Sequence, residues 1–191
     1  MLGHQFHIPE KSDNAIEVWR RNRIQAISLC LKSGLPEDAL TLIYSGIDTL
    51  GFLDAPPGQL WATEISFEAW SDRYIVSSLK PVVGTSPSAV DLFGARCGIL
   101  HTSTSFSQLG KKGAAREIWY QYRGESAVNL TLDTPGMPLL IDIDQFANVF
   151  EVGGAQFVAD LKMDKVRFDR AEARAARFFA WGVRSSPASS A

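Results

Sequence analysis

The sequence Val90-Asp91-Leu92-Phe93-Gly94-Ala95-Arg96-Cys97-Gly98-Ile99-Leu100-His101 places an arginine and a histidine within an otherwise apolar run. Its apolar side chains cover most of the circumference of an ideal helix, which predicts a central helix packed on several sides. A guanidinium and an imidazole are costly to bury without partners. We therefore expect Arg96 and His101 either to face a cleft or to bind groups elsewhere in the chain.

These two polar residues are not strict neighbours on one face of the helix. At about 100° per residue, Arg96 and His101 lie about 140° apart. Gly94 and Gly98 lie on the sector that has few apolar side chains. Another backbone can approach closely there, and a symmetric copy of the chain is one candidate for that neighbour.

Helix signals dominate the first half of the chain. A first helix is predicted from a cap at Ser12 or Asp13 to the stop signal Ser33-Gly34. A second amphipathic helix follows and ends at the loop from Gly51 to Gly58. An aromatic-rich third helix is predicted over about residues 62–79.

The hydrophobic period changes after residue 116. Apolar and other residues alternate over 118–122 and again over 128–132, with Gly124-Glu125 between them, which predicts an antiparallel β-hairpin. Leu139-Leu140-Ile141 adds a third strand. Residues 116–142 are therefore predicted to form a small antiparallel hairpin or meander.

Two C-terminal helices are predicted over 143–182, the first of them capped by Asp144. The ends, 1–11 and 185–191, are expected to be flexible. With 191 residues, of which 46% are hydrophobic, the chain can form one domain over 1–191 with a large core. The predicted fold class is α+β, mainly α.

The charge of the chain limits its possible partners. A formal net charge of −2 argues against a broad nucleic-acid-binding surface, so RNA contacts would come from local basic patches. The candidate patches are Arg20-Arg21-x-Arg23, Lys111-Lys112 with Arg116, and the set Arg167, Arg170, Arg174 and Arg177. For each patch the alternative is a solvated helix or loop face.

The cysteines and the N-terminus indicate a compartment. Cys30 and Cys97 fall in apolar surroundings, which is typical of free thiols in a reducing environment. The N-terminus lacks the basic start and apolar core of a signal peptide, and no apolar run approaches about 18 residues. We therefore expect a cytoplasmic protein without a membrane span.

The spacing Arg96-x4-His101 near the end of a helix, preceded by helices such as Ala39–Asp48, resembles the HEPN superfamily (higher eukaryotes and prokaryotes nucleotide-binding). The resemblance covers about residues 12–110 and implies a four- to five-helix bundle carrying the family's Arg-x4-6-His motif. Many members of the family are metal-independent ribonucleases whose site forms where two protomers meet. Others only bind nucleotides or pair with a nucleotidyltransferase-like partner. Cys97 departs from the family pattern, which often has Asn, Asp or His after the arginine.

The resemblance implies a homodimer that binds RNA or a nucleotide, with an antitoxin or a nucleotidyltransferase-like protein as a possible further partner in a toxin or defence setting. RNA cleavage without a metal needs a base, an acid and a cation that stabilises the phosphorus oxygens. His101 can act as base or acid near neutral pH, and Arg96 can clamp a phosphate. A two-fold partner would supply a second imidazole. The candidate substrate-binding residues are Thr102, Ser103, Lys111 and Lys112, although the hydroxyls can instead cap the helix end.

Three residues are candidates for positioning the pair: Asp48, Asp91 and Cys97. Asp48 lies on the side of its helix opposite Leu50, which fits either a solvated acid or a partner of Arg96. The alternative function is a non-catalytic nucleotide-binding or protein-interaction module in which Arg96 and His101 are structural. No cofactor motif is present, and Cys97-x3-His101 lacks the two further ligands of a zinc site, so we predict no metal.

Overall fold

The computed structural model describes residues 14–102, 113–124 and 138–179. Within these ranges it contains six α-helices and two short strands, so the fold is α+β and mainly α, as predicted. The helices are α1 (Ala15–Lys32), α2 (Pro36–Asp54), α3 (Glu64–Ser71), α4 (Ala89–Thr102), α5 (Ile143–Met163) and α6 (Lys165–Phe178), and the strands are β1 (Ile118–Gln121) and β2 (Leu139–Asp142).

Two helix caps differ from their predicted positions. Helix α1 is capped by Asn14, whose Oδ1 accepts a hydrogen bond from the Glu17 amide at 2.8 Å. The predicted caps at residues 12 and 13 lie outside the described residues. Helix α5 is capped by Asp142 rather than Asp144, because the Asp142 carboxylate accepts the Gln145 amide at 3.0 Å.

Helix α2 continues through Gly51, where the sequence predicted a loop. A Cβ at this position would lie 2.5 Å from the backbone oxygen of Ser66 in α3. Gly51 therefore permits a close approach of two helices and does not end one of them. Helix α3 is shorter than predicted and continues as a π-helical turn over Asp72–Val76.

The two described strands correct the predicted sheet. Strands β1 and β2 pair in parallel, with Ile118 opposite Leu139 and Gln121 opposite Asp142. Residues 122–138 separate them, which is long enough for the crossover that a parallel pair requires. The sequence predicted a wholly antiparallel sheet over 116–142, and the two strands that the structure describes there are parallel instead. The second strand of the predicted hairpin, over 128–132, lies outside the described residues.

Helix α2, rather than α4, is the centre of the helical packing. It contacts α1, α3, α4, α5 and α6, whereas α4 packs against α2, α3 and β1. The largest side chains of the core are aromatic and fully buried: Tyr44, Phe67, Trp70, Phe146, Phe150 and Phe157. None of the described helices combines the length and apolar character needed to cross a bilayer.

Candidate functional site

The Arg96 side chain extends from α4 to α2 and binds Asp48. Its Nε and Nη2 atoms both donate to Asp48 Oδ2, at 2.8 and 2.6 Å. The Arg96 and Asp48 side chains are 21% and 14% exposed, so water still reaches this ion pair. The ring of Phe93, one turn earlier in α4, lies 5.7 Å from the guanidinium carbon. Together these contacts fix the guanidinium at the edge of the α2–α4 contact.

His101 is exposed and lies beside the same guanidinium. Arg96 Nη1 is 3.5 Å from His101 Nε2, the outer limit of a hydrogen bond. Because an arginine can only donate, this contact requires an Nε2 without a proton. The guanidinium and the imidazole meet although about 140° separates the two residues on an ideal helix. The long arginine side chain extends along α4 while its Nε remains hydrogen-bonded to Asp48.

Burial and pairing have opposite effects on the pKa values of Asp48 and Arg96. Burial raises the pKa of Asp48, and the hydrogen bond and charge of Arg96, together with the charge of His101, only partly offset this rise. Burial would lower the pKa of Arg96, but the hydrogen bond and charge of Asp48 outweigh it, so the pKa of Arg96 is raised. Arg96 therefore remains a cation at any physiological pH.

Asp91 occupies a different place from the one predicted for it. It is 3% exposed and, among the described residues, binds Ser88 and Arg116 rather than Arg96. Gly94 and Gly98 on the same flank are also buried within the single chain. This flank of α4 is therefore already covered and does not offer an open surface to a second copy, contrary to the expectation from the sequence.

The other predicted site residues contribute less. Cys97 is a free, partly buried thiol next to Arg96. Thr102 is the last residue of α4, whereas Ser103, Lys111 and Lys112 lie outside the described residues. Within residues 14–102, 113–124 and 138–179, no three His, Cys, Asp or Glu side chains are placed to hold a metal ion.

Several arginines of the predicted basic patches are already bound inside the fold. Arg167 of α6 binds Asp54 through its Nε and Nη2 atoms, and Arg116 binds Asp91. Arg174 donates to carbonyl oxygens at and beyond the end of α2, among them those of Ala55 and Pro56. These side chains are already hydrogen-bonded to other parts of the fold, so they are poor candidates for an RNA-binding patch.

The sequence reasoning missed a contact that lies near the site. The hydroxyls of Tyr44 in α2 and Tyr120 in β1 form a hydrogen bond with each other. Burial raises the pKa of both phenols, so both remain protonated at neutral pH. No local pattern indicates this pair, because the two residues are brought together only by the packing of β1 on the helices.

Comparisons with known proteins leave the site to be judged on its own geometry. No protein-family model, no curated protein and no solved structure matches this chain.

Proposed function

We propose that this protein is a HEPN-like, metal-independent endoribonuclease that acts as a homodimer and uses Arg96 and His101. One observation carries the proposal: an exposed imidazole lies 3.5 Å from a guanidinium that a neighbouring helix holds in place. A fixed cation beside a titratable base supplies two of the three groups that metal-free RNA cleavage requires, and the third is an acid. Asp48 positions the cation, and Cys97 replaces the polar residue that often follows the arginine in that superfamily.

The chemistry divides between the two side chains. His101, with an unprotonated nitrogen, takes the proton from a ribose 2′-hydroxyl, and the 2′-oxygen attacks the adjacent phosphorus. The bond from phosphorus to the 5′-oxygen breaks, and an acid protonates that oxygen as it leaves. Arg96 stabilises the charge on the non-bridging oxygens. The products are a 2′,3′-cyclic phosphate and a 5′-hydroxyl end.

A homodimer supplies the acid that the His101 side chain of one chain cannot also provide. One imidazole cannot be both the base and the acid in a single step, so the second proton donor is His101 of a two-fold partner. Because the Gly94 flank is covered, the dimer contact belongs to the surface around the exposed His101. By the same resemblance, an antitoxin or a nucleotidyltransferase-like protein is the proposed partner that restrains the enzyme in a toxin or defence setting.

End-group analysis tests the proposed activity. Purified wild-type and His101→Ala proteins are incubated with mixed RNAs in the presence of a chelator, with His7→Ala as the matched histidine control. We expect His101→Ala to lower cleavage by about 10²–10⁴-fold while circular dichroism stays unchanged. Cleavage that persists in folded His101→Ala protein would end the proposal, as would products with a 5′-phosphate.

The Asp48–Arg96 ion pair also favours a second candidate function. Removing one partner of this partly buried pair, which joins α2 to α4, would destabilise the bundle whether or not any reaction takes place. In that case the protein is a non-catalytic nucleotide-binding or protein-interaction module. Stable RNA in the wild-type incubation, combined with a loss of folding stability in Arg96→Ala, would favour this candidate over the ribonuclease.

A further inference from the structure

Arg23 of α1 is held in a defined position over α2. Its Nη1 atom donates to Ser45 Oγ at 2.9 Å, and the same hydroxyl donates to the Leu42 carbonyl oxygen at 3.2 Å. Its guanidinium also lies 5.0 Å from the centre of the Trp19 ring. Because the hydroxyl is itself anchored to the α2 backbone, the position of Arg23 is set before any ligand binds.

Arg23 differs from the neighbouring arginines in having no acidic partner among residues 14–102, 113–124 and 138–179. Arg20 binds Glu17, and Arg96 binds Asp48. Within the part of the chain that the structure describes, no carboxylate lies within ion-pair distance of Arg23, and burial lowers the pKa of its guanidinium. A half-buried cation without a counter-charge is costly, and a bound anion would remove that cost.

Arg23 and Arg96 lie over the same face of α2. Their anchors, Ser45 and Asp48, are three residues apart, which is about 4.5 Å along the helix axis and about 60° around it. Helices α1 and α4 both pack on α2, and Arg23 and Arg96 reach this face from these two helices. Asp48 also lies on this face, and its charge is already matched by Arg96.

We propose that Arg23 binds a second phosphate of the RNA strand whose scissile phosphate lies at Arg96. This inference rests on the proposed ribonuclease function and adds the class of substrate: a strand with at least two successive phosphates rather than a mononucleotide. The strand crosses α2 from the exposed end of α4 towards α1. Arg23 is a binding residue in this arrangement and takes no part in proton transfer.

The salt dependence of RNA binding tests the assignment. The probe is a fluorescent single-stranded 2′-O-methyl RNA, which lacks the attacking hydroxyl and stays intact during the measurement. Its affinity for wild-type, Arg23→Gln and Arg23→Lys proteins is measured by anisotropy at several salt concentrations. Arg73→Gln is the matched control, because Arg73 is more than half exposed and binds Asp160.

For Arg23→Gln we expect binding about tenfold weaker at low salt, as when a hydrogen bond to a charged group is lost. The slope of log K against log salt should fall in magnitude by about 0.7, the value for one phosphate contact on a single strand. Arg23→Lys should keep the wild-type slope and bind less tightly than wild type, since it retains the charge without the planar fork. Arg73→Gln should match wild type in both quantities.

The remaining outcomes either overturn the inference or separate it from the catalytic proposal. An Arg23→Gln protein with the wild-type slope shows that no phosphate lies at Arg23, even if binding weakens through lost packing. If Arg23→Gln does not fold, Arg23→Lys decides, and wild-type affinity in that variant removes the assignment. If wild type binds but does not cleave unmodified RNA, the catalytic proposal fails while this phosphate contact can still hold. Wild type that binds no RNA removes both.

Discussion

Replacing Asp91 with asparagine should lower stability and leave the chemistry at Arg96 intact. Asp91 Oδ2 accepts hydrogen bonds from the Ser88 amide at 2.8 Å and from Arg116 Nε and Nη2 at 3.1 and 2.6 Å. An amide NH₂ at the position of Oδ2 would face these donors with further donors. If the asparagine amide is turned the other way, its NH₂ group would face the backbone amide of Arg116, which Oδ1 accepts at 2.7 Å. Either way, buried hydrogen bonds to a charged group are lost.

The expected loss of stability depends on how well water can replace the hydrogen bonds that Arg116 loses. Breaking a buried pair costs about 3–5 kcal/mol, but the Arg116 side chain is 40% exposed and can regain solvent. We therefore expect a loss of about 2–3 kcal/mol at neutral pH, or roughly 5–10 °C in Tm for a chain of this size. Urea denaturation at pH 7 measures the loss. Asp169→Asn is the control, because it breaks an exposed pair worth only about 0.3–0.5 kcal/mol.

The loss should also depend on pH in one direction. Burial would raise the pKa of Asp91, but hydrogen bonds from Arg116 and Ser88 outweigh it and hold the pKa below its ordinary value. A carboxyl with a depressed pKa in the folded state stabilises the protein above its unfolded pKa, and this contribution disappears as pH falls through the folded pKa. The difference between wild type and Asp91→Asn should thus be constant from about pH 7 to 5 and shrink below about pH 4. A difference that stays constant or grows between about pH 4 and 3 would refute this account of the pair.

Three further predictions concern the site and the packing around it. Asp48→Asn should lower kcat about tenfold, because Arg96 loses the carboxylate that holds it in place. KM should not rise, because a negative charge near the substrate disappears. Steady-state kinetics measure both, and a raised KM with constant kcat would contradict the positioning role. Wild-type and His101→Ala chains can be unfolded in equal amounts and refolded together, and their activity compared with that of wild type at the same total chain concentration. We expect about one quarter of the wild-type activity if the site needs two histidines, and about one half would contradict that requirement. Gly51→Ala would place a Cβ 2.5 Å from the Ser66 carbonyl oxygen, so we expect a loss of about 1–3 kcal/mol in urea denaturation, and an unchanged midpoint would argue against that close contact.

Local sequence signals predicted the existence of the helices well and some of their ends poorly. The pair α1 and α2 follows from apolar periodicity with a clear stop between the helices, which is information held within a few residues. Gly51 was interpreted as a helix end, because a glycine that ends a helix and one that admits a neighbouring backbone look alike in sequence. Only the position of α3 distinguishes the two.

Long-range pairing explains the other differences. Turn residues after β1 favoured an antiparallel hairpin, but Ile118 pairs with Leu139 in parallel, which no local turn specifies. At the candidate site, the sequence indicated Arg96 and His101 and left open whether Asp48 was solvated. Their meeting depends on the crossing of α2 and α4 and on the reach of the arginine, and a helical projection contains neither.

The hydrogen bonds from Arg174 to the end of α2 have a consequence for synthesis on the ribosome. The carbonyls of Phe52 and Ala55 receive a donor located 122 and 119 residues later in the chain. Until Arg174 has been translated, both oxygens lack this donor, although the Phe52 oxygen also accepts the Ala55 amide, and the nascent bundle is open at that end. Docking of α6 therefore closes this end of the bundle, and a chain that stops before that helix would leave the end of α2 uncovered.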